Sequence, residues 1–351
     1  MSQLTITSHY VRRGIKIGVI TLLSFFILKT SFTIARAYWR KLNPPPEPPP
    51  DTAYGKLPNV SFPDQKKRLP VNFNLQTIDS QLPTDLKDRA KVIYLPKIGG
   101  KFSKLDDAQI TAEQLDLNPN GQELSSNVYL FKNSANRTQM KINVLTQNFT
   151  YVYDYVHDQT LINPPVLPTK EKAISIGEQF LNSIDRLTDE LSTGNKEISY
   201  WKVKGENLVS AISASEADFI RVNFFRQKIE EEYPIMPPTY PQAQVSLLIT
   251  SQSIQGKQVV EAKYTYFESD PEEFAVYPLL PIETAWERVK DGEYYLASFE
   301  GQPENGVTIR RIYLAYYDPP QPTHFLQPIY VFQGDNEFVG YYPAIPPEWR
   351  E

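Results

Sequence analysis

The first 43 residues of this 351-residue chain hold seven basic residues and no acidic one, around an apolar run from Ile17 to Trp39. A helix over this run would be about 34 Å long at ~1.5 Å per residue. That length is enough to cross a hydrocarbon core of about 30 Å. Tyr38 and Trp39 fall at the far end, where interfacial aromatic residues are favoured. Residues 1–43 are therefore predicted to be a short tail and a membrane anchor in contact with the lipid bilayer.

Lys29 interrupts this run and leaves two other interpretations open. The uninterrupted stretch Ile17–Leu28 has the length of a signal-peptide core, and Ala35-Arg36-Ala37 resembles a cleavage site. Secretion after cleavage near Ala37 is one alternative, and a buried or interfacial helix is the other. In a retained anchor, a lysine near mid-span costs roughly 2.5–3.5 kcal/mol. Lys29 is then either a side chain that snorkels to the interface or an intramembrane contact with a partner protein.

A proline-rich segment follows the apolar run, beginning with Pro44-Pro-Pro-Glu-Pro-Pro-Pro50. Such segments adopt an extended polyproline helix of about 3.1 Å per residue. Residues 44–84 are predicted to form a stalk or linker that holds the rest of the chain away from the bilayer. The short N-terminal tail is expected inside and the large C-terminal body outside, because long domains translocate largely regardless of flanking charge.

The composition of the body narrows its chemistry. All 41 acidic residues lie after residue 43, and the chain contains no cysteine. An acidic body without a basic stripe argues against nucleic acid as a partner. The lack of cysteine excludes disulfides, thiolate metal sites and cysteine nucleophiles. Because large eukaryotic ectodomains usually carry disulfides, a cysteine-free ectodomain of this size favours a bacterial cell envelope.

The body repeats one pattern three times, a helix followed by an antiparallel meander. Helices are predicted near 105–115, 173–191 and 282–289 from apolar residues spaced three and four apart. Pro168-Thr169 is predicted to open the second helix and Gly194-Asn195 to end it, and Gly292 is predicted to stop the third. Strands are predicted near 127–132, 139–145, 149–156, 198–203, 219–225, 244–250, 259–267, 307–317 and 325–332. Pro328 predicts an edge strand or a bulge for the last of these, and Tyr233–Pro241 predicts a loop because of its four prolines.

This pattern predicts an α+β fold with an N-terminal transmembrane helix and repeated helix-plus-antiparallel-meander modules. The first module is expected over residues 85–162. The second region is expected over 163–351, with units at about 163–275 and 276–351.

The sequence offers little catalytic chemistry, and no nucleophile, phosphate-binding or zinc-protease motif is present. His157 lies in Tyr153-Asp154-Tyr155-Val156-His157-Asp158, the one stretch with a metal-like mixture of side chains. On a strand its neighbours Asp154 and Asp158 would point to the opposite face, so a polar strand end is the favoured interpretation. The alternating tyrosines could stack sugars or peptides, but packing within a sheet explains them better. No catalytic, metal or cofactor-binding residue is predicted, and the chain is not expected to be an enzyme.

The third unit carries a family resemblance. Its residues are Tyr277-Pro278-Leu279-Leu280, Ala285-Trp286 on a helix, Tyr313-Leu-Ala-Tyr316-Tyr317, Phe325-Leu326-Gln327-Pro328 with Phe332 and Gly334, and Tyr342-Pro343-Ala344-Ile345. Residues 275–346 resemble the C-terminal part of the YycH/YycI-type regulatory proteins of bacterial membranes, and PepSY-like domains share the helix-plus-meander pattern. The resemblance implies a single N-terminal span, an extracytoplasmic α+β body without enzymatic activity, and restraint of a sensor kinase partly through membrane helices. The proline-rich stalk and Lys29 depart from that family.

Two hypotheses about function follow from these observations. The first is a non-enzymatic single-pass membrane protein of a bacterial cell envelope. Its extracytoplasmic body would bind a membrane partner as a regulator, for example of a sensor kinase, or as an assembly factor. The alternative is a cell-envelope enzyme or wall-polymer-binding protein that uses tyrosine and carboxylate surfaces. A deep pocket with converging carboxylates would favour the alternative.

Overall fold

The computed structural model describes residues 3–42, 49–65, 72–96, 104–135, 137–162, 166–254, 257–301 and 306–351. It contains two compact units, Met1–Pro49 and Pro50–Glu351. The first unit is one helix, α1 (Gln3–Leu42). Within it, Gly18–Arg36 is long and apolar enough to cross a membrane, and none of this segment is buried.

The second unit, called the body, is built around a nine-stranded antiparallel sheet, the large sheet. Its strands, in spatial order, are β3 (Gln122–Ser125), β4 (Val128–Asn133), β5 (Thr138–Asn143), β6 (Phe149–Tyr153), β12 (Lys257–Tyr264), β11 (Val245–Ile254), β9 (Phe219–Phe224), β7 (Lys196–Lys204) and β8 (Asn207–Ala211). Most neighbours in this sheet are also close in sequence. The exception is the pair β6–β12, which joins the two helix-plus-meander units into one sheet.

The body has two further sheets. The second sheet contains β1 (Phe73–Leu75), β15 (Val307–Tyr317), β17 (Pro328–Gly334), β18 (Val339–Pro343) and β14 (Tyr295–Ser298), and β10 (Ile235–Met236) also pairs with β15. Both β1 and β10 run parallel to β15, whereas the other pairs are antiparallel. The small sheet contains β13 (Phe274–Pro278), β2 (Arg89–Tyr94) and β16 (Phe325–Leu326).

Helices α2 (Lys104–Gln114) and α3 (Lys170–Ser183) cover one face of the large sheet. Ala108 and Ala173 are fully buried in this core, beside Phe131 and Val222 of the sheet. The small side chains on the helices let them lie close to the strands. Thr169 begins α3 as predicted, because its side chain accepts a hydrogen bond from the Lys172 N–H at 3.3 Å.

The second core lies among α5 (Ile282–Lys290), the second sheet and the small sheet. Trp286 of α5 stacks on Phe332 with ring centroids 5.9 Å apart. Gly292 follows the helix with a φ of 83°, the left-handed conformation that the predicted stop requires. The chain is thus α+β, as predicted, with an apolar N-terminal helix followed by a sheet-rich body.

The predicted stalk over residues 44–84 is wrong for most of its described length. Leu57 is fully buried, and its N–H donates to the Trp349 carbonyl at 2.8 Å. Strand β1 lies inside the same span and pairs with β15. The prolines therefore do not make a free spacer of residues 50–65, because apolar side chains between them pack onto the body. The proline run from Pro44 to Pro48 lies outside the described residues.

Three more details differ from expectation. The strand β2, assigned to the first module, pairs with β13 and β16 far along the chain. The long helix predicted over 173–191 is two helices, since Asp185 has a φ of 53° and Thr188 begins α4 (Asp189–Thr193). Pro328 is in neither an edge strand nor a bulge. It opens the central strand β17, at a position where its missing N–H costs no ladder bond.

Candidate functional site

An open cleft of about 870 Å³ lies in the body beside β15, near the start of β7. Residues of four segments line it, within 85–87, 193–197, 225–240 and 311–314. These segments come from widely separated parts of the sequence. The cleft therefore exists only once the large and second sheets have assembled.

One wall of the cleft is a tight turn between α4 and β7. A side chain at Gly194 would place its Cβ 1.9 Å from the Phe225 carbonyl oxygen, so only glycine fits there. The Phe225 N–H donates to the Asn195 carbonyl at 2.9 Å. The sequence predicted that Gly194 and Asn195 end a helix, and the structure confirms this. What the sequence did not indicate is that the turn closes against the segment after β9.

Charged side chains of both signs surround the cleft. Four cations line it, namely Lys87, Arg226, Lys228 and Arg311, together with four carboxylates, namely Asp85, Glu197, Glu231 and Glu232. Lys87 is 3.5 Å from Glu230 and 5.0 Å from the centre of the Tyr233 ring. The Arg311 guanidinium lies 4.6 Å from the centre of the Tyr313 ring. Among the residues that the structure describes, Arg311 makes no ion pair, so its charge faces the cleft without a carboxylate.

Three tyrosines add aromatic surface to these walls. Burial raises the pKa of Tyr233 and of Tyr240, and it raises the pKa of Tyr313 to about 12. The hydroxyl groups therefore stay neutral near pH 7 and can donate hydrogen bonds. The tyrosine rings and the Arg311 guanidinium give the cleft flat surfaces that can pack against apolar side chains of a bound molecule. The polar groups at the edges of these surfaces can form hydrogen bonds with it.

A buried ion cluster lies behind the cleft wall and consists of Arg226, Glu190, Ser269 and Asp318. The Arg226 Nε donates to Glu190 at 2.6 Å, its Nη2 donates to Ser269 at 3.0 Å, and its Nη1 is 3.4 Å from an Asp318 oxygen. Ser269 also donates to Glu190. These four residues, called the junction cluster, join α4 and the end of β9 to the end of β15. The parts of the body around the large sheet, which contains β9, and around the second sheet, which contains β15, are called its two halves.

The two ends of the junction cluster differ in electrostatics. Burial raises the pKa of Asp318 to about 6, although Arg226 opposes the shift. Burial alone would lower the pKa of Arg226, but the Glu190 and Asp318 carboxylates outweigh it and raise that pKa. Arg226 lines the cleft, whereas Asp318 does not. The cluster was missed at the level of sequence, since its members are spaced far apart and nothing local marks a buried arginine.

A second, shallower cavity of about 610 Å³ lies beside the segment that was predicted to be a stalk. Phe62 fills an aromatic slot there. Its ring stacks on Tyr295 with centroids 4.8 Å apart and meets Tyr317 edge-on at the same distance. The segment is also held by Gln65, whose side-chain amide donates to the Leu296 carbonyl at 3.0 Å. The chain's own segment thus already occupies this slot.

Lys29, for which the sequence left open a partner contact or a snorkelling side chain, is exposed on the helical segment Gly18–Arg36. Nothing in the structure tests a partner for it, so that contact stays a prediction. The apolar surface around it is exposed as well, and Phe25, Leu28 and Phe32 are each more than half accessible. A core helix of a soluble domain would bury such side chains.

His157 lies differently from the expected strand end. The strand ends at Tyr153 rather than Val156, and the following turn brings the His157 Nδ1 to 2.6 Å from Asp154. The expectation that these two side chains point apart is therefore wrong. Both are exposed, so the pair is worth little to stability. The described residues contain no group of three or more His, Cys, Asp or Glu side chains that could hold a metal ion.

No family model matches this chain, and neither does any curated protein. Among solved structures, it is similar to an uncharacterised protein from Eubacterium rectale at 12% identity and a TM-score of 0.41, covering 74% of this chain and 84% of that one. It is also similar to the YpeB C-terminal domain of Bacillus megaterium at 12% identity and a TM-score of 0.29, covering 70% of this chain and 95% of that one. With TM-scores this low, neither likeness carries an argument about what this chain does.

Proposed function

We propose that this chain is a single-pass membrane protein whose extracytoplasmic body binds another protein and thereby regulates a membrane partner, such as a sensor kinase, or assists its assembly. The observation that carries the proposal is the open cleft, which presents charges of both signs beside aromatic surfaces. Specific protein interfaces combine aromatic residues and arginine in the same way. No enzymatic step is needed for this role.

The anchoring part of the proposal rests on the helix Gly18–Arg36. It is long enough for a bilayer and has no buried residues in the structure. The body already includes Asp51, whose N–H donates to the Val276 carbonyl of β13 at 3.0 Å.

Affinity purification of the full-length protein from native membranes, followed by mass spectrometry, tests this function. We expect a specific membrane protein to co-purify. Recovery of no specific partner under several mild detergents would contradict the proposal.

The same experiment with Lys29→Leu tests the helix contact separately. If Lys29 contacts the partner within the bilayer, the variant accumulates normally and recovers less of it. Thr33→Leu, a polar-to-apolar change at another exposed position of the same helix, is the matched control. Unchanged recovery with Lys29→Leu would contradict a partner contact at Lys29.

Binding of a cell-wall polymer is the second candidate, favoured by the three tyrosines and the four carboxylates that line the cleft. Such a role predicts that the purified protein sediments with isolated wall polymer and that Tyr313→Ala reduces the bound fraction. The enzymatic form of this candidate has less support, because Asp318, the buried carboxyl with a raised pKa, does not line the cleft.

A further inference from the structure

The outer side of β15 is paired at both ends and open in the middle. Strand β1 pairs with Val307–Ile309, and β10 pairs with Tyr316 and Tyr317. Between them, residues 310–315 have no strand partner on this side within the described part of the chain. The gap is about 20 Å long at ~3.3 Å per residue.

The hydrogen-bonding pattern shows which backbone groups face the gap. The Tyr317 N–H donates to the Gln327 carbonyl on the β17 side at 3.1 Å, whereas the Tyr316 N–H donates to the Pro234 carbonyl on the other side at 2.9 Å. In an antiparallel pair such directions alternate from residue to residue. The N–H and C=O groups of Ile312 and Leu314 therefore point away from β17 and into the gap.

The two residues that carry these four backbone groups, Ile312 and Leu314, both line the cleft. Each residue is buried as a whole, with exposed fractions of 6% and 3%, and its side chain packs in the second core. None of the described residues bonds to their N–H or C=O groups. A row of unpaired strand groups is a template for another strand. Here it faces an open cavity, whereas exposed edges are usually covered or blunted.

The walls above and below the gap define what an added strand would carry. On one face of the sheet lie Leu86 and Tyr233, which belong to the second core. On the opposite face lie Tyr240, Tyr313 and Arg311. Side chains of an added strand alternate between these two faces, so each face would receive apolar or aromatic side chains. Arg311, which makes no ion pair among the described residues, would attract an acidic side chain.

We infer that the cleft binds an extended peptide segment of a partner protein by β-strand addition to residues 310–315 of β15. The segment carries apolar side chains on alternate positions and one acidic residue facing Arg311. Its main chain bonds to Ile312 and Leu314, which supplies affinity, and the two walls supply selectivity. This inference rests on the proposed function and names the partner chemistry and its site.

Hydrogen exchange on the native complex tests the inference directly. The full-length protein is purified from native membranes with its partner, and amide exchange is compared with the free protein. We expect exchange of the Ile312 and Leu314 amides within the segment 310–315 to slow by about tenfold or more in the complex, while the exposed hairpin 204–207 is unchanged. A complex in which 310–315 exchanges as in the free protein would overturn strand addition and leave the proposed function standing.

A substitution tests the same site from the protein's side. Leu314→Pro removes the N–H that faces the gap and leaves the bonds to β17 intact, because those come from the odd-numbered residues. We expect at least a tenfold loss of partner recovery, with Leu314→Ile as the matched control that keeps the N–H. Full recovery with Leu314→Pro would overturn the inference.

If Leu314→Pro does not fold, Arg311→Glu replaces it, since that side chain is exposed and reversing its charge repels the acidic residue. Lys204→Glu, an equal charge change on the distant hairpin, is its control. Equal loss of recovery in both variants would contradict a specific contact at Arg311. Crosslinks from position 311 that map to a helical segment, or to a second copy of this chain, would also overturn the inference. Failure to recover any partner would instead count against the proposed function itself.

Discussion

The large sheet and the second sheet are assembled from different kinds of neighbours. Strands of the large sheet are mostly hairpin partners, such as β4 with β5 and β7 with β8. The open side of β15 in the second sheet is instead paired by β1, from residues 73–75, and by β10, from residues 235–236. Because these two strands are short and come from distant parts of the sequence, they leave the backbone of β15 unpaired between them. The second sheet therefore has a cleft along β15, whereas the hairpin strands of the large sheet form a continuous ladder.

Breaking the junction between the two halves is expected to have the largest effect. Arg226→Met leaves Glu190 and Asp318 buried without their cation, and removing one partner of a buried ion pair costs about 3–5 kcal/mol. Denaturant unfolding of the full-length protein in detergent measures the loss. Arg310→Met is the matched control, since Arg310 bonds to Asp335 at 2.7 Å on an exposed surface and exposed ion pairs add little to stability. Equal losses in the two variants would show that the junction cluster does not hold the halves together.

The segment predicted as a stalk provides the next comparison. Leu57→Ala removes a fully buried side chain and is expected to lower the unfolding free energy by about 2–5 kcal/mol. Ile78→Ala lies in the same predicted stalk, but Ile78 is 101% exposed and its truncation is expected to change stability by less than about 0.5 kcal/mol. The same unfolding measurement separates them. If Leu57→Ala were as mild as Ile78→Ala, residues 50–65 would be a linker after all.

The pH dependence of stability sharpens the role of Asp318. Burial raises the pKa of this carboxyl from 3.8 to about 6, so between pH 4 and 6 the folded state binds a proton that the unfolded state has lost. Ionised Asp318 therefore costs stability above pH 6, and acidification through this window relieves the cost. The relief amounts to about 2–3 kcal/mol at ~1.36 kcal/mol per pKa unit.

Comparing the wild type with Asp318→Asn isolates this contribution from that of other groups. Both are unfolded at a series of pH values between 6 and 4. The stability of the wild type relative to the variant is expected to rise as the pH falls. Parallel curves for the two proteins would contradict a raised pKa for this carboxyl.

Sequence reasoning succeeded where structure is local. Strand β15 was predicted with its observed limits, Val307–Tyr317, because alternation over eleven residues leaves little ambiguity. The Thr169 cap and the Gly292 stop were also confirmed, since each depends on a neighbouring backbone group. In the large sheet, the predicted strands β4, β5 and β9 each lie within one or two residues of those observed.

What the sequence could not indicate depends on distant contacts. Strand β2 has a plain local pattern, and only its pairing with β13 places it in the small sheet. Leu57 gave no periodic signal, and its burial follows from contact with Trp349 at the other end of the chain. The cleft was missed for the same reason. Its open edge is set by where β1 and β10 stop, which no local pattern specifies.

Site-specific crosslinking in native membranes measures whether the cleft beside β15 contacts the partner. A photoreactive amino acid is placed at Lys228, an exposed residue of the cleft, and at Lys204, an exposed residue on the far hairpin of the large sheet. We expect a discrete crosslinked partner from position 228 and none from position 204. Crosslinks from position 204 alone, or equally from both, would show that the partner does not bind in the cleft.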